Sequence, residues 1–356
     1  MSARSRPTLE ARLREALRDA GSPFADAAAA MLPDTGLAHD HVRLVDTGVI
    51  ARIPKQSQMD LTAAANLAYQ AACFERASPS GRAPGLIGVL PPSAWLPRGA
   101  LLVEDIEGRP PVLPDDLPAI AEALARVHAL PLPPAEARAP LLDAADPLAD
   151  LLAEVGRQAR YVPAAGVAPE VAGAIDAELA AFRRAVQRPR RPPRALISFD
   201  AHPGNFVVRP DGRAVLVDLE KARYSYPPLD LAHATLYTST TWDVATSAAL
   251  TVDEVAGFCG AWAESLGATA APLVAWIVEL RRAMWLWSVS WCAKWRVLSR
   301  RPVSVAAGGE DWSEERSERD LIGHVRDRVD CYLSPPIVAA VRSELSALAR
   351  RIDARS

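Results

Sequence analysis

A chain of 356 residues, half of them hydrophobic, can bury a sizeable core and is longer than one average domain. Its formal net charge of −3, with both signs interspersed, offers no basic face to nucleic acid. Four widely spaced cysteines, Cys73, Cys259, Cys292 and Cys331, argue against a zinc or disulfide framework and suit a reducing cytosol, so a cytoplasmic location is expected. No apolar run reaches the roughly 18 residues of a membrane span. The N-terminal charges Arg4, Arg6, Glu10 and Arg12 lack the apolar segment of a signal peptide.

In chain order, residues 7–32 read as two helical stretches, alanine-rich from Ala27 to Leu32 and broken at Pro33-Asp34-Thr35-Gly36. Residues 41–45 and 49–53, joined at Thr47-Gly48, alternate as a hairpin. A helix is expected over 61–77 and apolar strands over 86–90 and 100–103. Residues 110–118 form a proline-rich connector, helices dominate beyond it, and 131–147 is a second loop. Gln187 to Pro193, QRPRRPP, reads as a solvated basic linker.

The stretch 196–218, LISFDAHPGNFVVRPDGRAVLVD, carries the chemistry. A short apolar run delivers Asp200 to a strand end, and Pro203-Gly204 turns the chain to Asn205. Two short strands, 206–208 and 214–217, flank the turn Pro210-Asp211-Gly212. A hairpin of that length brings Asn205 and Asp218 to one end of the ribbon, where two oxygen ligands can share one ion. Mg²⁺ takes hard oxygen donors and bridges carboxylates to substrate phosphates. In kinase-type transfer one Asp accepts the hydroxyl proton while an Asn and a later Asp hold metal.

The segment resembles the aminoglycoside phosphotransferase and choline kinase-like families, through Asp200 in D-A-H-P-G-N, the strand ending in Asp218, and Asp230-Leu231-Ala232. Upstream, residues 49–54 resemble the third strand of their small lobe, residues 101–110 (LLVEDIEGRP) their hinge, and residues 120–130 the helix after it. The likeness covers roughly residues 36 to 240 and implies an α+β, two-lobed protein kinase-like fold, with a small β-rich lobe carrying one main helix and a large, mostly helical lobe. It implies ATP and Mg²⁺, with Asp200 as catalytic base, Asn205 and Asp218 as metal ligands, and Arg52 as phosphate contact. Glu104, Asp105 and Ile106 would lie along the adenine through their backbone, and Asp230 would support the catalytic loop. The domains expected are a helical extension at 1–35, a nucleotide-binding lobe at 36–106 and a large lobe at 107–356.

The chain departs from the family pattern at two points. Ser198 stands where a loop-holding His is usual, which predicts a looser Asp200. The helix over 61–77 offers only Glu75 as a partner for Arg52, and Lys55 is a rival phosphate contact beyond Pro54. Residues 36–40 fall where a phosphate-covering loop belongs, with one glycine. For the acceptor, Trp285, Trp287, Trp291 and Trp295 share a helical run that reads chiefly as core, with any exposed ring free to wall a pocket. Glu310, Asp311, Glu314 and Glu315 form an acidic loop that reads first as a solvated helix start, and the hydroxyl-rich 237–243 either lines the cleft or caps helices. The pattern therefore points to transfer of the ATP γ-phosphoryl to a small-molecule hydroxyl. The alternative is a kinase-like protein that binds nucleotide or a partner without transfer. Only eleven residues separate Asp218 from Asp230, too few for an activation loop that docks a protein substrate.

Overall fold

The computed structural model describes residues 7–33, 38–57, 59–299 and 319–353. Helix α1 (Leu9–Asp19) is capped by Thr8 and leads to strand β1 (Ala29–Met31), then β2 (His39–Leu44), β3 (Val49–Pro54), α2 (Ala63–Ala77), β4 (Leu86–Leu90) and β5 (Ala100–Glu104). The five strands form one antiparallel sheet in the order β1-β2-β3-β5-β4. Side chains alternate across a strand, so β3 sends Val49, Ala51 and Ile53 toward α1 and its Leu13 and Leu17. Ile50 packs on the opposite side, with α2, and the Arg52 guanidinium stands 5.4 Å from the Phe74 ring centroid. On β5, Ala100 and Leu102 face α1 while Leu101 and Val103 face α2.

Residues 27–32, expected as helix, are a turn followed by β1. Ala29 pairs with Leu44 and Met31 with Val42. Cross-strand pairing with β2 outweighs the modest helix preference of a three-residue alanine-rich segment. The expected hairpin is β2–β3, with His41 opposite Arg52. Its turn uses positive φ at Asp46 (58°) and Gly48 (69°).

The large lobe contains α3 (Leu117–His128), α4 (Pro147–Ala159), α5 (Pro169–Val186), β6 (Ala195–Ile197), β7 (Phe206–Val208), β8 (Ala214–Leu216), β9 (Arg223–Ser225), α6 (Pro228–Thr235), α7 (Tyr237–Thr240), α8 (Val252–Leu266), α9 (Ala271–Val274), α10 (Ile277–Leu298), α11 (Arg319–Tyr332) and α12 (Pro335–Asp353). The large lobe also holds two-stranded ribbons β6–β9 and β7–β8, and its core forms two apolar clusters. One is built on α3, α8 and the β7–β8 ribbon, the other on α4, α5, α10, α11 and α12. Beyond β5 the chain bonds to β7 through Arg109 and Val208 in both directions, at 3.0 and 2.8 Å. Gly108 makes that approach possible, since a Cβ there would lie 2.4 Å from the Val208 carbonyl. The basic linker is stitched down: Arg191 bonds Asp146, the cap of α4, and Arg188 bonds Glu279.

Among the described residues no single helix is long and apolar enough to cross a membrane. The four cysteines are free thiols, with Cys73, Cys259 and Cys292 buried.

Candidate active site

The site is built on the loop leaving β6. Asp230, fully buried on α6, accepts the backbone N–H groups of Ser198 (2.7 Å) and Phe199 (2.8 Å). Trp262 Nε1–H donates to His128 Nδ1 at 3.0 Å, so the His128 proton sits on Nε2 and is given to Asp230 at 3.1 Å. Asp230 thus binds the loop below and is itself held by α3 and α8. Phe199 takes φ +58°, a left-handed conformation costly for a bulky residue. Its buried ring lies 3.7 Å from the Arg223 guanidinium and packs edge-on against Trp287 at 5.5 Å. Ser198 adds Oγ as acceptor for the Asp200 N–H at 3.2 Å. The loosening expected from Ser198 is therefore opposed by Asp230, His128 and Trp262, which hold the loop through its backbone.

Asp200 follows. Its Oδ2 accepts from Lys221 Nζ at 2.8 Å, and its Oδ1 lies 3.8 Å from His233 Nδ1. Burial pushes its carboxyl pKa up, but the Lys221 ammonium and its hydrogen bond, together with His233 and His202, outweigh that and hold it below the usual range. Asn205 donates Nδ2–H to the Asp200 carbonyl at 2.7 Å, and its own carbonyl accepts the Val217 N–H at 2.8 Å. That second bond continues the β7–β8 ladder by one step and sets Asn205 beside Asp218, the juxtaposition that the hairpin length predicted. Asp218 Oδ1 accepts from Arg52 Nη2 at 2.7 Å and from the Glu220 N–H at 3.4 Å, and the described bonds leave Oδ2 unused. Burial alone would raise the Asp218 pKa; the Arg52 guanidinium, together with His39, His41 and Lys221, instead holds it far below the carboxylate range.

Arg52 also donates Nη1–H to the Val217 carbonyl at 3.0 Å, while its Nε is buried without a partner. Glu75 does not pair with it. The phase of α2 turns Leu67, Gln70 and Phe74 inward and leaves Glu75 exposed. Gln70 instead meets His39 Nε2 at 2.9 Å, and His39 Nδ1 faces Glu220 at 3.5 Å. Burial, then the neighbouring Asp218, pushes Glu220 up to about 8. Burial, then Arg52, lowers His39 to about 4. Lys55 lies just past β3, 3.5 Å from Asp40.

At the hinge, Glu104 Oε1 accepts from Arg209 at 2.8 Å and Asp105 pairs with Arg43. The Asp105 N–H bonds the Gly48 carbonyl, and none of the described backbone bonds uses Ile106. The structure thus clusters Asp200, Asn205, Asp218 and Arg52, with Glu104 and Ile106 on the separate β5 exit.

On the far side of Asp200, the tryptophan run divides. Trp285 and Trp295 are buried in the core, whereas Trp287 and Trp291 are half-buried. Trp287 donates Nε1–H to Glu154 at 2.6 Å and lies 5.9 Å from Lys221 Nζ. Trp291 packs edge-on against Trp242, which meets His324 and Tyr332. In the hydroxyl-rich segment Thr240 and Thr241 bond backbone carbonyls, but the Thr238 and Ser239 hydroxyls are buried without partners. Glu310, Asp311, Glu314 and Glu315 lie outside the described residues.

Sequence reading missed Lys221, Glu220, His39, His128, His233 and Trp262. Glu220 and Lys221 directly follow the Asp218 motif, so their place was legible in principle; the histidines reach the site from three separate elements.

Two lobes around a loop of this kind define a protein kinase-like fold. The family model APH, described as a phosphotransferase enzyme family, matches residues 30–267, and the chain belongs to that family. No curated protein matches. The structure is similar to a choline/ethanolamine kinase family protein from Mesorhizobium loti, at 19% identity and TM-score 0.54, covering 93% of this chain and 99% of that one. It is also similar to a Plasmodium vivax ethanolamine kinase, at 11% identity and TM-score 0.60, covering 97% and 98%. A GDP complex of aminoglycoside 2'-phosphotransferase-IIIa gives 13% identity and TM-score 0.58, covering 91% and 98%. At these identities the likeness shows the fold.

Proposed function

We propose that this phosphotransferase moves the γ-phosphoryl group of ATP to a hydroxyl of a small molecule. The observation that carries the reading is the single cluster of Asp200, Asn205 and Asp218, joined by the Asn205–Val217 and Asn205–Asp200 bonds. The acceptor oxygen attacks the γ-phosphorus, the bond to the β,γ-bridging oxygen breaks, and ADP leaves. The acceptor proton passes to Asp200, a step typically contributing about 10² to 10⁴ in rate.

The donor set suits Mg²⁺. The Asn205 amide and the Asp218 carboxylate are hard oxygen donors, and described bonds leave Asp218 Oδ2 unused. When bound, the ion would neutralise phosphate charge. Arg52 is the phosphate contact in this reading, supported by its orphaned Nε. Ile106 and the backbone of Glu104 would receive the adenine. Residues 36–106 form the nucleotide side, with α1 of the preceding extension packed on their sheet and β1 added to its edge, and residues 107–356 form the acceptor side. The half-buried rings of Trp287 and Trp291 border the acceptor. A cytoplasmic setting with metabolite ATP fits the free cysteines.

A second reading has its own observation: both key carboxylates are already ion-paired, Asp200 with Lys221 and Asp218 with Arg52. Such a protein would bind nucleotide without transfer. Thermal shifts with ATP, with and without Mg²⁺, test binding; ADP release across a panel of polyols, amino alcohols, sugars and aminoglycosides tests transfer. Absence of any Mg²⁺-dependent stabilisation rejects the phosphotransferase reading, and stabilisation without turnover on any panel member favours the binder.

A further inference from the structure

We propose that Lys221 is a further catalytic residue, its ammonium tying Asp200 to the oxygens of the phosphoryl group in transit. The inference rests on the phosphotransferase reading above and adds a residue to it. Lys221 leaves the backbone three residues after Asp218, yet its tip reaches Asp200 Oδ2 at 2.8 Å. Its side chain therefore spans the interval between the metal-side carboxylate and the acceptor-side carboxylate. A phosphoryl group passing from an Asp218-held nucleotide to an Asp200-held hydroxyl crosses that interval.

The ammonium has donors to spare. A lysine carries three N–H groups, and the described hydrogen bonds account for one of them. The side chain is mostly buried, with the Trp287 ring closing one flank at 5.9 Å. In so low a dielectric, charge developing on transferred oxygens is stabilised strongly by a fixed cation. The carboxylates of Asp200 and Asp218 keep that cation charged against burial.

Composition adds a second line. The chain holds only three lysines, Lys55, Lys221 and Lys294, among 40 basic residues. Arginine presents a broad planar fork, whereas lysine is a compact point charge with rotatable donors. A compact ammonium can stay on a carboxylate and still offer hydrogens to a tetrahedral group that changes place.

Two experiments test this. The first treats the wild-type protein with an acyl-phosphate derivative of ATP, in which a nearby lysine amine takes the acyl group and ATP leaves. Mass spectrometry is expected to find the acyl group on Lys221, suppressed by excess Mg²⁺–ATP. An unmodified Lys221, or labelling that excess Mg²⁺–ATP does not suppress, overturns the proposal. The second compares D200N with D200N/K221M, so that an unpaired Asp200 charge does not confuse the result. A charge-assisted contact to the γ-phosphoryl is typically worth tenfold or more in affinity, about 10- to 100-fold. The double variant is expected to lose that factor for ATP while its ADP affinity stays within about twofold. Equal changes for both nucleotides, or none, refute the γ-contact. Loss of Mg²⁺–ATP stabilisation in the wild-type protein would instead reject the underlying phosphotransferase reading.

Discussion

Replacing Asp230 with Asn probes the anchor of the loop that carries Asp200, with almost no change in volume. Asp230 has no solvent exposure and accepts three hydrogen bonds, from Ser198 N (2.7 Å), Phe199 N (2.8 Å) and His128 Nε2 (3.1 Å). Asn retains one carbonyl oxygen, so its amide group must face at least one of these donors. A buried donor left unpaired costs about 1–3 kcal/mol, and a bond to a charged acceptor is worth about 1.5–3 kcal/mol. D230N is therefore expected to lose about 2–5 kcal/mol, a large share of the 5–15 kcal/mol typical of folded domains. The same bonds hold Phe199 at φ +58°, a conformation costing about 1–3 kcal/mol. Urea unfolding followed by tryptophan fluorescence measures the first effect, and hydrogen exchange at the Ser198 and Phe199 amides measures the second. A D230N curve within about 0.5 kcal/mol of the parent, with both amides still protected, would refute the anchoring argument.

The other predictions concern the same centre. Asp200→Ala is expected to keep nucleotide-induced stabilisation and to abolish phosphoryl transfer; near-native turnover on an acceptor would remove Asp200 as the base. Asp218→Ala is expected to lose the Mg²⁺-dependent part of nucleotide binding in titration calorimetry, leaving the Mg²⁺-independent part. Glu220, held at about 8 by burial and by Asp218, binds its proton more tightly in the folded state than in the unfolded chain. Its contribution is complete below the unfolded pKa of about 4.3 and is lost as pH rises toward 8. His39, lowered to about 4 by burial and then Arg52, acts oppositely, adding stability as pH rises to about 6.5 and nothing beyond. Between pH 6.5 and 8 stability should therefore fall, by at most about 1.4 kcal/mol per unit, and E220Q should flatten that slope in denaturant melts. Trp262→Phe removes the donor to His128 at small volume change and should cost about 1 kcal/mol. Combined with D230N it should cost less than the sum, since both act on one chain of bonds.

The parts that were legible in the sequence are those set by local spacing. The β7–β8 hairpin follows from a turn of Pro210-Asp211-Gly212 between two apolar runs, and its length places Asn205 next to Asp218. The β2–β3 hairpin was visible for the same reason. What escaped depends on contacts between distant segments. Asp230 sits 102 residues from His128, and Trp262 lies 134 from it, so no window contains the anchor. β1 owes its form to β2 rather than to its alanines. The partner of Arg52 was sought at Glu75 because a carboxylate on α2 was the expected chemistry; the rotation of α2 brings Phe74 under the guanidinium, and the ion pair goes to Asp218 instead. Among the tryptophans, spacing put Trp287, Trp291 and Trp295 on one face, but only tertiary packing separates the covered Trp295 from the two half-buried rings.

The pairing of Asp200 with Lys221 and Asp218 with Arg52 makes the resting site close to electrically neutral, with Glu220 held largely protonated and His39 uncharged. Such a site projects little field into solvent, so a polyanion arriving from afar is not drawn in by long-range attraction. Association should then be slow for so charged a ligand and nearly indifferent to ionic strength. On the phosphotransferase reading proposed above, recognition then begins only at contact, where the incoming phosphates meet Arg52 and the N–H donors that Lys221 keeps beyond its bond to Asp200.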